Sequence, residues 1–534
     1  MASKVSGGPS PKGGLRRGAP AINRRRFTLM AGGTLAGGLL ASGLRMRQLR
    51  AATDGSGETL RITTTGDVEV LDPNFLLSDV ELRVCEMLFN GLVGVDPDLN
   101  VVPDLAEEWA ISADAKSYEF KLRQGVLFHH GRELNAGDVG FTLERFKDSW
   151  VSYVVDDLDR IEIVDPHFLR LQFKQPAAHF LGSMAPRWTA IVPKDLVEEH
   201  GNDHFKLNPV GTGAFRFVEH VPLQHILLER HADYFEQGLP KVDRLEWVPV
   251  QDESARSMQV IGGSAELDLW APLKLIESFE SSPGVQVLGG PTSRYEFAEL
   301  NNARPPFDDV RMRRAVAFAT DRQAIVDLAL SGHGEALVGG PIGPAGNPFF
   351  NGFTTYAEPD LERARALIEE AGHGSGITVE GLAEGGSRYS DVLEILQQRW
   401  AQVGITININ AMEVGAARAR RREGDYDVMI QGWGTLVDPN DFVGEQFMTT
   451  GGLNFGKSGN AELDELLLQG KRETDFEKRE AIYREVERYI LEESVPMVLL
   501  YRPFEFAAFG EQVVGLEHEA GRTRISLTRT SISS

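Results

Sequence analysis

Residues 377–409 read ITVEGLAEGGSRYSDVLEILQQRWAQVGITINI. Ile377 to Leu382 has the composition of a strand, and Asp391 to Val403 carries apolar residues at helical spacing. Gly404 closes the helix, since a glycine just past the last turn accepts the left-handed conformation that ends one. Ile405-Thr406-Ile407-Asn408-Ile409 then alternates with the two-residue period of a strand. A strand, a helix and a second strand in this order make an α/β unit. Upstream, Pro359 opens a helix through Leu361, Ala364, Leu367, Ile368 and Ala371, and Gly372 stops it. Asp309 to Leu330 reads as one long helix, followed by a Gly- and Pro-rich loop from Gly332 to Gly352. Downstream, Val428-Met429-Ile430 reads as a buried strand, and Asp475 to Glu493 as a helix packing through Ile482, Val486, Tyr489 and Ile490.

Before residue 300 the texture differs. Leu60 to Thr65 is a strand, Leu71-Asp72-Pro73 a turn and Leu82 to Leu92 a helix. Strands around Tyr118 to Arg123 and Ile161 to Phe173 flank a helix from Ala136 to Phe146. At 534 residues the chain exceeds what one core usually serves, so two α/β lobes are expected.

Charge is unevenly spread. The first 52 residues hold ten Lys or Arg and no acid, which leaves 45 basic against 78 acidic residues in the remainder, a net charge of −33. So acidic a body repels phosphate backbones and anionic lipid heads, which argues against nucleic acid and membrane surfaces as partners. Cys85 is the only cysteine, so no intramolecular disulfide, zinc cluster or redox pair can form, and its apolar neighbours suggest a buried, inert thiol. Asn23-Arg24-Arg25-Arg26-Phe27-Thr28-Leu29 leads into a Gly-rich apolar run to Leu44, and Arg45, Arg47 and Arg50 follow. Residues 1–52 thus resemble a twin-arginine signal with cleavage near Ala52. No cysteine follows for lipid attachment, so a free periplasmic protein is expected.

Catalytic spacings are missing. There is no G-x-S-x-G and no H-E-x-x-H. The adjacent His129 and His130 would point to opposite faces of a strand. Gly211-Thr212-Gly213 lacks both the third glycine of a dinucleotide loop and the lysine of a phosphate loop. These absences weigh against an enzyme, and neither a cofactor nor a metal site is expected.

Six segments, spread in order over nearly all of residues 59–505, together resemble family 5 of the ABC-importer solute-binding proteins, the peptide, dipeptide and nickel group. They are EMLFNGLVGVDPDLNVVPDLAEEW (86–109), YEFKLRQGVLFHHGRELNAGDVGFTLERF (118–146), NPVGTGAFRF (208–217), NNARPPFDDVRMRRAVAFATDRQAIV (301–326), residues 356–372, and GDYDVMIQGWGTLVDP (424–439). The resemblance implies an α/β, two-lobed periplasmic binding protein (type II, class C-like), with a ligand cleft between lobes joined by two hinge strands. It places lobe I at 53–295, lobe II at 296–500 and a C-terminal return to lobe I at 501–534. The crossings are expected near Arg294 to Phe297 and Leu500 to Pro503. It further implies a monomer that hands a small peptide-like ligand to an ABC permease driven by separate ATPase subunits.

The same resemblance picks out ligand-binding candidates. Trp433 ends the apolar strand, and Gly432 and Gly434 on either side would let the main chain approach a ligand; Thr435 follows. Peptide receptors of this group carry an Asp three residues after the Trp to meet the ligand's ammonium, and here that position is Leu436. Asp438 stands two residues farther on, in the W-x4-D-P spacing of the nickel-type receptors, either as a turn residue or as a ligand contact. Arg187 lies near the segment where nickel-type receptors place a carboxylate-binding arginine, and Trp270 and Tyr295 are candidate cleft walls. The expected ligand is therefore a peptide-like or other carboxylate-bearing solute. A metal chelate, a sensory or chaperone-like receptor without transport, and a hydrolase on a borrowed fold are the alternatives.

Overall fold

The strand Met497–Gly510 is the longest in the molecule's central sheet, and it serves both halves of it. Its first part pairs antiparallel with Tyr295–Leu300 and Gly334–Ala336; its second part pairs with Val285–Pro291 and Leu267–Asp268. The structure, a computed structural model, describes residues 58–533 apart from 77, 98, 293, 343–348, 350, 351, 386, 435, 436, 520–523 and 526. Residues 1–52, read above as an export signal, lie outside the described residues, as do Thr435 and Leu436.

On one side of the long strand the order continues through Tyr295–Leu300, Val428–Trp433, Ile377–Glu384 and Ile405–Met412. The last two strands run parallel in register from Ile377 opposite Ile405 to Glu384 opposite Met412, joined by the helix Arg388–Ala401. That helix buries Val392, Leu396 and Trp400 against Val379, Ile405, Ile407, Val428 and Ile430, so the quoted strand–helix–strand unit is the centre of one lobe's core. On the other side come Leu267–Asp268, Thr59–Thr64, Arg244–Pro249, His225–Arg230 and Phe215–Val221. Leu60, Ile62, Phe215, Leu228, Trp247, Ala507 and Phe509 form the core of that lobe.

This first lobe carries a further antiparallel sheet in the order Ala106–Ile111, Ser117–Leu122, Phe168–Phe173, Leu158–Asp165. Its buried face alternates with the strand period, and Tyr118, Phe120, Phe128, Phe146, Phe173 and Phe180 fill the space beneath the helix Ala136–Arg145. The fold is thus mixed α/β with two lobes; the strands Val285–Pro291 and Tyr295–Leu300, one in each half of the sheet, both pair with the long strand Met497–Gly510. Among the described residues no helix is long and apolar enough to cross a membrane.

Several elements differ in extent from the sequence reading. Asp309 to Leu330 is two helices, Val310–Ala319 and Arg322–Ala329. Asp321 breaks the run by turning its carboxylate to accept from the Ala324 N–H at 2.9 Å. The stretch 161–173 is likewise two strands, Leu158–Asp165 and Phe168–Phe173, with Asp165 accepting from the His167 N–H at the turn between them. The helix read over 82–92 is Asp79–Leu88. It starts earlier because Ser78 and Glu81 form a capping box, each side chain accepting from the other's N–H, at 3.3 and 2.9 Å.

Candidate functional site: a charged cleft where the strands cross

The capping box fixes where this helix begins, and with it the direction of its first turns. Asp79, Arg83 and Glu86 follow at helical spacing, so they share one face, and Arg83 meets Glu86 at 3.2 Å. That face looks toward the crossing strands. Arg294, on the first crossing, donates to Asp79 Oδ2 at 3.0 Å, to the Tyr389 hydroxyl at 3.0 Å and to Glu296 Oε1 at 3.3 Å. Its guanidinium thereby ties a lobe I helix, the crossing and the lobe II helix Arg388–Ala401 together. Arg388, the first residue of that helix, pairs with the same oxygen of Glu296 and also reaches Oε2 from its Nε at 3.4 Å.

Glu296 is fully buried inside a strand whose every residue is buried. Burial pulls its carboxyl upward, but Arg388 and Arg294 outweigh this and hold it below the usual carboxylate range. A buried charge of this kind persists only when paired. Glu299, three residues on, is held by Arg421 at 2.8 Å and by the Tyr426 hydroxyl at 2.6 Å. The two acids therefore anchor opposite ends of one strand to lobe II.

Several groups of this cluster combine partial accessibility with strong desolvation. Asp79 keeps 61% of its side chain accessible and Arg388 34%, yet burial is the largest influence on the titration of both. Glu505, on the long strand just past the second crossing, is half-buried, and burial pushes its carboxyl up. These three groups thus keep access to solvent where the two lobes meet at the crossing strands. Three arginines converge there, the side chain suited to planar, bidentate capture of a carboxylate.

Trp433 ends its strand opposite Tyr295 and packs, half-buried, on the core around Phe297 and Phe447. Gly432 is tightly enclosed: a Cβ there would stand 2.8 Å from Glu296 Cγ, 3.0 Å from the Tyr389 oxygen and 3.2 Å from Arg294. Gly434 faces open space, with nothing within 4 Å of a Cβ. Gly432 thus joins the cleft cluster through Glu296, Tyr389 and Arg294, whereas Trp433, the next residue, belongs to the core. Tyr295 is buried, and its hydroxyl donates to Gln446 Oε1 at 3.0 Å. Trp270 is half-buried against the lobe I core, its N–H donating to Asp268 and its carbonyl accepting from Arg256. Arg187 donates to Asp104 at 2.6 Å; the same carboxylate accepts from Asn90 and from the Gly91 N–H, so Arg187 braces a turn of lobe I.

Asp438 belongs to a second meeting of the lobes. Both of its oxygens accept from Arg479 at 2.7 Å, and one also accepts from the Asn440 N–H. Its Cβ lies 2.8 Å from where a Cβ on Gly182 would be, so only glycine lets the lobe I segment 179–183 approach. Ser183 donates to Asp441, and Lys471 reaches Asp157 at 3.4 Å. Arg479 holds Asp438 low against the pull of burial, while burial and the neighbouring Asp438 charge push Asp441 well up. His179 sits in the same contact, fully buried, with neither ring nitrogen hydrogen-bonded among the described residues.

Asp79, Arg83, Glu296, Arg388 and Glu505 were not anticipated as site residues. The readable signal was Glu296 and Glu299 inside the otherwise apolar Tyr295–Leu300, since buried acids demand partners. Among the described residues no three His, Cys, Asp or Glu side chains gather as a metal site.

Comparison with known proteins places this geometry. Residues 100–455 match the model of the bacterial extracellular solute-binding proteins, family 5. The chain is 27% identical over 447 residues to the glutathione-binding protein GsiB of Salmonella typhi, covering 80% of this chain and 86% of that protein. Among solved structures, the periplasmic binding protein DppA from Helicobacter pylori, in complex with the peptide STSA, superposes with a TM-score of 0.82. It is 23% identical and covers 90% of this chain and 98% of its own. AgaA from A. tumefaciens R10, in complex with agropinic acid, has a TM-score of 0.80 and 25% identity over 89% of this chain and 99% of its own.

Proposed function

The chain belongs to the family 5 extracellular solute-binding proteins of bacteria, and we propose that it is the solute-capturing subunit of an ABC importer. It encloses a small peptide-like or other carboxylate-bearing solute by lobe closure and delivers it to a membrane permease. The observation that carries this reading is the cleft at the crossing, where Arg294 spans from Asp79 of one lobe to Tyr389 of the other. Contacts that require both lobes exist only in the closed form, so a solute that adds to them shifts an open–closed equilibrium toward closure. Relatives named for glutathione, a peptide and agropinic acid support the solute class, since each of these ligands carries carboxylates and polar groups of comparable size.

On this reading residues 53–295 and 501–534 make one lobe and 296–500 the other. The subunit itself performs no chemistry and needs no cofactor. It works as a monomer in the periplasm, reached through the twin-arginine signal of residues 1–52. Replacing Arg24 and Arg25 by Lys should hold the protein in the cytoplasmic fraction; unchanged export would refute the route. A thermal-shift screen against peptides, opines, glutathione and nickel with chelators tests the function. A solute at 100 times its Kd should stabilise the protein by about 2.7 kcal/mol. If no small solute shifts the melting, the receptor reading is wrong; loss of uptake of the hit on gene deletion would tie it to transport rather than sensing.

A further inference from the structure

Charges in the cleft can be matched one against another. Arg83 meets Glu86, Arg294 meets Asp79 and Glu296, and Arg388 meets Glu296. Three arginines thus stand with three carboxylates, and Glu505 is the remaining acid. Its side chain makes no hydrogen bond or ion pair with any described residue, although Arg83 and Arg294 are near enough for their charge to be felt. The neighbouring cations already have partners of their own. Elsewhere in the molecule buried or half-buried acids such as Glu81, Glu299 and Asp438 are bonded by N–H groups or guanidinium.

The space beside Glu505 is open by construction. In the ladder between Val285–Pro291 and Met497–Gly510, the residue directly opposite Glu505 is Gly290. Gly290 has a φ of 150°, which disfavours any side chain, and a Cβ there would meet nothing within 4 Å. Directly opposed residues in an antiparallel pair have their Cβ atoms about 5 Å apart. The absent side chain therefore leaves room beside the carboxylate. The strand that bears Glu505 also runs through the crossing, so a group bound there sits at the hinge, where both lobes can reach it.

Resting on the receptor reading above, we propose that Glu505 is the cation subsite of the cleft, seating a primary ammonium of the solute in the room left by Gly290. A solute with one ammonium would give the seventh charge its partner. It would also relieve the cost of leaving a half-buried carboxylate without hydrogen bonds. The solute class narrows accordingly to amine-bearing carboxylates, peptides and amino-acid conjugates included. The subsite differs from position 436, where peptide receptors of the group carry their Asp and this chain carries Leu.

The test compares a mixture of free-amine dipeptides with the same mixture N-acetylated, on the wild-type protein and on Glu505→Gln and Glu505→Asp. Apparent affinity is read by calorimetry, and urea midpoints report folding. A charge-assisted hydrogen bond supports a preference of roughly 10- to 100-fold for the free amines in the wild type. E505Q should abolish that preference without weakening the acetylated mixture, and E505D should keep part of it. Equal binding of both mixtures by the wild type would overturn the inference while leaving the receptor reading intact, and needs no variant. A wild-type preference that survives in E505Q would place the amine elsewhere and overturn it equally. If neither mixture binds the wild type, the peptide-like receptor reading falls and takes this subsite with it.

Discussion

Acid should weaken this protein through His179, and the size of the effect follows from the residue's surroundings. The imidazole is 1% exposed, at the start of the short helix Phe180–Ser183 where lobe I meets Asp438, Arg479 and Lys471 of lobe II. Burial, with a smaller contribution from the Lys471 charge, lowers its pKa from 6.5 to about 3; Asp438 offsets only part of this. A depressed histidine pKa means that the folded state holds fewer protons than the unfolded one. The stability of the neutral form is therefore complete above pH 6.5 and is lost progressively as pH falls from there toward 3. The slope is about 1.4 kcal/mol per pH unit for one proton. At pH 5 the loss attributable to His179 is thus about 2 kcal/mol. Urea unfolding of the wild type and His179→Asn at pH 7.5 and 5.0 isolates it. His129, also lowered to about 3, is present in both proteins and cancels in the comparison. The wild type should lose about 2 kcal/mol more than the variant between the two pH values. Equal losses would show that His179 takes up no proton on unfolding, and would refute the placement of a neutral imidazole in the lobe contact.

Removing the guanidinium in Arg479→Met leaves Asp438 buried beside Asp441 without its two 2.7 Å hydrogen bonds, and should cost about 3–5 kcal/mol in urea unfolding. Gly432→Ala should cost about 1–3 kcal/mol, because Glu296 is pinned by two arginines and cannot withdraw from a Cβ at 2.8 Å. Gly434→Ala should leave the melting temperature unchanged in the free protein, and a large drop would mean the space beside it is filled. Cys85 is fully buried, and burial raises its thiol well above the ordinary value, so a thiol reagent should label it only after unfolding; rapid labelling of the native protein would contradict its place in the core.

The architecture was legible where one periodicity dominates. The alternation of 405–409 and the helical spacing that precedes it survive in the structure as Ile405–Met412 and Arg388–Ala401. The break at Thr320 and Asp321 was hidden because both helices bury the same face, Met312, Ala315 and Val316 in one and Ile325 and Val326 in the other, against one core. Periodicity reports the face, not the continuity of the backbone. The cleft was less legible for a different reason. Glu296 meets Arg388 across 92 residues, and Glu299 meets Arg421 across 122. Such pairs are set by the mixed sheet that brings the segments together, and no local pattern announces them. Asp79 and Arg388 in particular look like ordinary polar residues at helix starts. The glycines around Trp433 were readable as points of close approach, but only the structure separates the crowded Gly432 from the open Gly434.

The central claim is closure of two lobes around a solute, and a distance between the lobes tests it most directly. Val164 on the lobe I sheet and Leu328 on a lobe II helix are both exposed, at 50% and 68%. Cysteines placed there can be labelled while the buried Cys85 stays silent. Single-molecule energy transfer, titrated with the free-amine dipeptide mixture, should show an open population giving way to one closed distance at saturation. A distance that stays constant while the solute binds would contradict closure as the means of capture.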